Sequence, residues 1–182
     1  MKKLTTLCLF LLISTITLAQ EKDTISQNNQ KKHELKINST NLIAFKWFDV
    51  SYEYLINKES SFGTALLISF NNDNGLDAYK TFSLTPYYRR YFSKNFAKGF
   101  FIESFGMLNT YKWLNTYYGA PSTTHSRTNF ALGVSAGGKF VTNNGFVAEV
   151  YLGLGRNLFN NSNNYYDNEV VGRGGISLGY RF

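Results

Sequence analysis

The sequence predicts an all-β protein, an eight-stranded antiparallel up-and-down transmembrane β-barrel with a polar, charged lumen. Three observations carry that expectation. Runs of residues alternate between an apolar face and a polar or small one, as a wall between lipid and lumen requires. The connections between these runs alternate between short and long. The last run, Val170 to Phe182, ends on an aromatic, with Ile176, Leu178, Tyr180 and Phe182 on one face and Arg173, Gly175, Ser177, Gly179 and Arg181 on the other. An apolar strand left bare at an edge invites aggregation, and a barrel closed by that strand has no edge.

Residues 1–19 read as a signal peptide. Met1-Lys2-Lys3 is basic, Leu4 to Leu18 is apolar and hydroxyl-rich, and Thr17-Leu18-Ala19 supplies small residues before a cut at Gln20. The apolar stretch is shorter than the ~20 residues of a spanning helix. Cys8 lies inside it, so the mature chain carries no thiol and no disulfide. Residues 20–33 are polar and aperiodic, which suits a flexible periplasmic tail. The barrel is expected over 34–182.

Eight strand-like runs follow, at 34–45, 47–57, 62–71, 80–92, 98–109, 128–142, 145–157 and 169–182. The first is interrupted by Asn38-Ser39-Thr40-Asn41, which suggests a bulge, and a tight turn within 45–48 should join it to the second. In the third, Phe62, Thr64, Leu66, Ile68 and Phe70 share a face. In the fourth, Pro86 removes a ladder donor, so a bulge is expected there. In the fifth, Glu103 turns inward with Phe101, Phe105 and Met107, because the opposite frame would place a charge in hydrocarbon. The sixth and seventh set Phe, Leu and Val against Gly, Ser, Lys139 and Glu149. The connections 58–61, 93–97 and 143–144 are short, while 72–79, 110–127 and 158–168 are long. Short turns on the periplasmic side and long loops outside are the outer-membrane arrangement.

Composition agrees. The chain holds 13 Tyr and 16 Phe but 2 Pro, which favours strands and interfacial aromatic belts. Tyr88, Phe92, Phe100, Tyr180 and Phe182 would form the periplasmic girdle, with Trp47 and Phe48 at the outer one. The formal charge of +7 is spread without a Lys/Arg stripe, so no nucleic acid is expected as partner. A soluble lipocalin-like barrel would point its apolar residues inward. Here the face opposite the Phe/Leu/Val stripe carries the charges.

Those inward charges are Glu53, Arg89, Glu103, Lys139, Glu149, Arg173 and Arg181. Five of them, from five strands, share one level of the lumen, with Arg181 just below. An eight-stranded barrel is narrow enough for side chains to fill it, so these residues are expected to pair as a lumenal ion-pair layer. A gated narrow channel is the functional alternative. Catalytic chemistry is thin. His125 and Ser126 lie in the 110–127 loop with no carboxylate nearby, and a barrel-borne lipid A-modifying enzyme would have to use them. No metal-ligand cluster and no phosphate loop is present, so neither catalytic residues, cofactor nor metal is expected.

The signal end Leu18-Ala19-Gln20, the strand Phe48–Leu55 (FDVSYEYL), the run Ser83–Phe92 (SLTPYYRRYF) and the ending Ile176–Phe182 together resemble the small outer-membrane β-barrels of the OmpA/OmpX type. More particularly, the chain resembles the barrel-only outer-membrane families of Bacteroidota. That resemblance implies location in the cell outer membrane, among its lipid and lipopolysaccharide, and assembly by the barrel-assembly machinery. Tyr180-x-Phe182 is similar to the signal that machinery reads. It further implies a non-enzymatic envelope role, with surface partners met through loops 110–127 and 158–168.

Overall fold

The computed structural model describes residues 31–70, 78–115, 123–158 and 169–182. The expected signal peptide, nearly all of the expected tail and the tips of the long loops lie outside these residues. Eight strands form one closed antiparallel barrel in sequence order. They are β1 (His33–Asn38), β2 (Trp47–Leu55), β3 (Ser60–Ser69), β4 (Ala78–Tyr91), β5 (Gly99–Asn115), β6 (Thr123–Val141), β7 (Phe146–Asn157) and β8 (Val170–Arg181). β8 closes on β1 in the register Glu34↔Arg181 to Asn38↔Ser177. At the rim bearing the short turns, His33 and Phe182 exchange both backbone hydrogen bonds, at 3.1 and 2.8 Å.

The alternation read from the sequence decides which face is which. Phe62, Ile102, Val134, Phe140, Val150, Leu152 and Ile176 stand exposed on the outside, while Glu53, Arg89, Glu103, Lys139 and Glu149 are buried inside. Apolar exterior with charged interior inverts the soluble pattern and suits a wall facing hydrocarbon. Interior glycines let rings lie flat across the lumen. A Cβ on Gly63 would come within 2.4 Å of the Tyr87 ring, and one on Gly133 within 2.3 Å of the Phe105 ring.

Three expectations need correction. The first run is not one strand: β1 ends at Asn38, and residues Ser39–Phe45 form a short helix, α1. The polar segment read as a bulge is a helix start, because the Asn38 side chain accepts the Asn41 N–H at 3.2 Å. The helix stops at Lys46, whose left-handed backbone (φ 55°, ψ 35°) turns the chain into β2. Pro86 sits in no bulge. The register is the same on both sides of it, Leu84↔Leu108 and Tyr87↔Phe105, and the ladder to β5 simply skips Thr85 and Pro86. The irregularity lies instead between Lys80 and Phe82.

The third correction concerns the loop expected at 110–127. β5 runs on to Asn115 and β6 starts at Thr123, with Tyr111↔Arg127 and Trp113↔His125 in register. Thr110 and Thr128 share a hydroxyl hydrogen bond of 2.9 Å across this extension. Strands of 17 and 19 residues exceed the 9–11 needed to cross a bilayer, so this hairpin stands beyond the wall. Thr, Tyr and Trp favour strand even where the composition looks loop-like.

Candidate functional site

The lumen is filled from the turn rim upward. The connection 92–98 folds beneath the barrel as a floor. Arg181 donates from Nη2 to the Ala97 carbonyl (2.8 Å) and from Nη1 to that of Phe96 (3.1 Å). Ala97 also donates its N–H to the Lys58 carbonyl at 2.9 Å, and it is fully buried. Leu55, Tyr91, Phe101 and Tyr151 pack above it as an apolar cluster.

On this floor stands a continuous network of ion pairs. Glu53 is its centre. Its carboxylate accepts from Lys36, from Arg89 Nη1 (2.9 Å), from Lys139 Nζ (2.8 Å), from Ser61 Oγ (2.5 Å) and from the Tyr91 hydroxyl. Arg89 spans three carboxylates: Nη1 reaches Glu53 and also Glu149 (2.7 Å), while Nε reaches Glu103 (2.7 Å). Its guanidinium lies over the Phe101 ring at 4.3 Å and the Tyr87 ring at 4.6 Å. Lys139 bridges Glu53 to Glu34 (2.7 Å), and Glu34 passes the chain of contacts to Arg181 (2.7 Å). Glu103 Oε1 accepts from both Ser135 Oγ and Arg173 Nη1, each at 2.7 Å, while its Oε2 takes Arg89.

Glu53, Arg89, Glu103, Lys139, Glu149 and Arg181 thus lie in one connected cluster, all with side chains at most 1 % exposed. Two members escaped the sequence reading. Glu34 and Lys36 are fully buried, and Lys36 joins Glu53 to Glu149, the latter at 2.9 Å. The pattern Glu34-Leu35-Lys36-Ile37 carried the signal, masked by the helix that interrupts the strand just after it. Further up, Asp49 and Lys80 are also buried and inward.

Low-dielectric burial makes such charges costly singly and tolerable in company. Among buried side chains of the described residues, one donor or acceptor lacks a partner, Asn109 Oδ1 near the far rim. The arrangement crowds the lower lumen with charged side chains paired to one another. The two neighbouring arginines of β4 divide their work. Arg89 turns inward, while Arg90 turns outward and pairs at the surface with Glu59 at 2.8 Å.

The remaining sequence-selected residues sit elsewhere. Tyr180 and Phe182 are exposed on the outer face, with Phe182 stacked on His33 at 5.9 Å between centroids. His125 and Ser126 are consecutive positions of β6, paired with Trp113 and Lys112. Among the described residues no group of His, Cys, Asp or Glu is arranged to hold a metal ion. Residues 116–122 and 159–168 of the loops expected to meet partners lie outside the described residues.

A family model described as "Protein of unknown function (DUF3575)" matches residues 6–173. No curated protein matches the sequence. The N-terminal β-barrel domain of Pseudomonas aeruginosa OprF superposes with a TM-score of 0.53 at 11% identity, over 84% of this chain and 98% of that one. The Yersinia pestis outer-membrane protein Ail matches at 16% identity over 84% of this chain and 99% of its own, with a TM-score of 0.39. The likeness to OprF is one of fold: a small closed barrel of the outer-membrane kind.

Proposed function

This chain belongs to the DUF3575 family of proteins of unknown function, and from that membership and the geometry above we propose that it is a non-enzymatic outer-membrane barrel whose lumen is closed by its own side chains. One observation carries the reading. A network of buried, mutually paired charges fills the lower lumen, while the outer face of the same strands is Phe, Leu, Ile and Val. The fold likeness to the OprF barrel supports the same setting.

In this reading residues 1–19 direct export and are removed. The barrel-assembly machinery engages the terminal strand through Tyr180 and Phe182. Lipid and lipopolysaccharide surround the wall. The β5–β6 hairpin and the segment 158–168 meet surface partners, and the sealed barrel contributes to envelope integrity. The lipid A-modifying alternative draws no support from the strand placement of His125 and Ser126.

Fractionation tests it. The protein should be recovered with the outer membrane and migrate faster in a detergent gel before boiling than after, as a barrel that resists detergent unfolding does. Lipid A extracted from cells with and without the protein should be identical. Recovery as a periplasmic monomer of unchanged mobility would remove the membrane assignment, and an altered lipid A profile would restore the enzyme.

A further inference from the structure

The upper lumen is not filled like the lower. Above the ion-pair network lies a cavity of about 420 Å³, and its walls include Ala65, Leu67, Met107, Phe45 and Trp47. It reaches the side of the barrel. β1 pairs with β8 up to Asn38↔Ser177, so residues 170–176 of β8 have no β1 partner on that edge. On the other flank β1 pairs with β2 to Ile37↔Val50, leaving residues 47–49 of β2 unpaired toward β1. Among the described residues, α1 alone spans the seam between β8 and β2. It is tied to β8 by Ile176 N–H donating to Thr40 Oγ1 at 3.0 Å and by Asn38 Nδ2 donating to the Gly174 carbonyl at 3.1 Å. Leu152, Gly172 and Gly174, which stand on the outer face of the wall, also line the cavity, and a Cβ added to Gly172 would meet nothing within 4 Å.

The cavity also holds a cation with no carboxylate at ion-pair distance among the described residues. Lys80 is 7% exposed and lines the cavity. Among the described residues its ammonium reaches one acceptor, the thioether Sδ of Met107 at 3.5 Å. A thioether is a weak acceptor, and a buried ammonium ordinarily requires a carboxylate. The cavity's carboxylate, Asp49, is turned to the amides of Asn41 (2.6 Å) and Asn38 (3.1 Å). Beside Lys80 in the lining, Arg173 uses Nη1 for Glu103 and lays its guanidinium over Tyr87, Tyr151 and Phe105 at 5.0 to 5.6 Å. The lumen as described carries six cations, Lys36, Lys80, Arg89, Lys139, Arg173 and Arg181, against five carboxylates, Glu34, Asp49, Glu53, Glu103 and Glu149.

We propose that this cavity binds a long-chain fatty carboxylate, with the head on Lys80 and Arg173 and the chain leaving sideways through the wall between β8 and β2. The chemistry on each side matches that occupant. The head meets a buried ammonium and a guanidinium, which favour an anion. The tail meets apolar lining and then an opening flanked by exposed Leu42, Ile43 and Phe45 of α1, continuous with the apolar belt. A free small anion would satisfy the cations but leave the apolar walls unused. A neutral chain would fill the walls and leave Lys80 unpaired.

Binding of radiolabelled oleate to the full mature barrel in phosphatidylcholine nanodiscs tests the assignment. Saturable uptake of one oleate per barrel is expected, with oleyl alcohol, butyrate and inorganic phosphate each at least about tenfold weaker, the cost of one lost ion contact or of the chain. Lys80→Met keeps the length and removes the charge, and should weaken oleate about tenfold while leaving oleyl alcohol unchanged. Gly172→Phe places a ring on the outer face of β8 beside the cavity opening and should weaken oleate similarly, with the heat-dependent gel mobility preserved in both variants. Equal binding of oleate and oleyl alcohol, or no effect of Lys80→Met, would overturn the proposal. Butyrate or phosphate binding as tightly as oleate would overturn the sideways route and leave a small-anion site.

Discussion

Glu53→Gln is expected to destabilise the folded barrel by about 3–5 kcal/mol, the cost of removing one partner from a buried charge cluster. The side chain keeps its shape but loses its charge, and three cations, Lys36, Arg89 and Lys139, lose their common acceptor. An amide also presents two donors where the Ser61 and Tyr91 hydroxyls donate. The folded fraction read from gel mobility across a urea series in detergent micelles measures the loss. A shift worth less than about 1 kcal/mol would mean that water reaches the cluster and screens it.

Arg89→Met should cost a similar amount by the opposite route. Removal of this guanidinium leaves Glu53, Glu103 and Glu149 with fewer cations in one low-dielectric layer, and three carboxylates then repel at close range. The neighbouring arginine is the natural control. Arg90 pairs with Glu59 while 55% exposed, so Arg90→Met should change stability by less than about 1 kcal/mol. In the double variant Glu53→Gln with Arg89→Met, the two losses should sum to clearly more than the observed loss. Residues in one network share the interaction that each single variant removes. Additive losses would show that Glu53 and Arg89 act separately, despite the 2.9 Å contact between them.

The readable parts of this molecule are those that depend on period two. In β7, Phe146, Val150, Leu152 and Leu154 stand outside while Glu149 and Tyr151 are buried, and one face had to meet one solvent along the whole strand. The same alternation assigned Glu103 to the inside of β5. What the sequence hid was decided by distant contacts. Lys139 and Glu34 pair across 105 positions, and Arg181 and Glu34 across 147. Such pairs follow from how far each strand slides past its neighbour on closure, which no local pattern records. Helix α1 was hidden for a different reason. Leu42, Ile43 and Phe45 suit a strand, and the deciding element was one side-chain cap from Asn38. The extension of β5 and β6 was missed because Thr, Tyr and Asn resemble loop composition. Their cross-strand pairing, as between Thr110 and Thr128, holds them in strand.

In the proposed reading the lower lumen is shut by charges that satisfy each other. Planar-bilayer recording on the refolded wild-type barrel addresses it directly. On the proposed reading, in which the ion-pair network and the 92–98 floor close the water path, insertion of the folded barrel should be accompanied by no steady conductance steps. Stable, long-lived open levels from the wild-type protein in symmetric salt would contradict a closed lumen and make this barrel a channel.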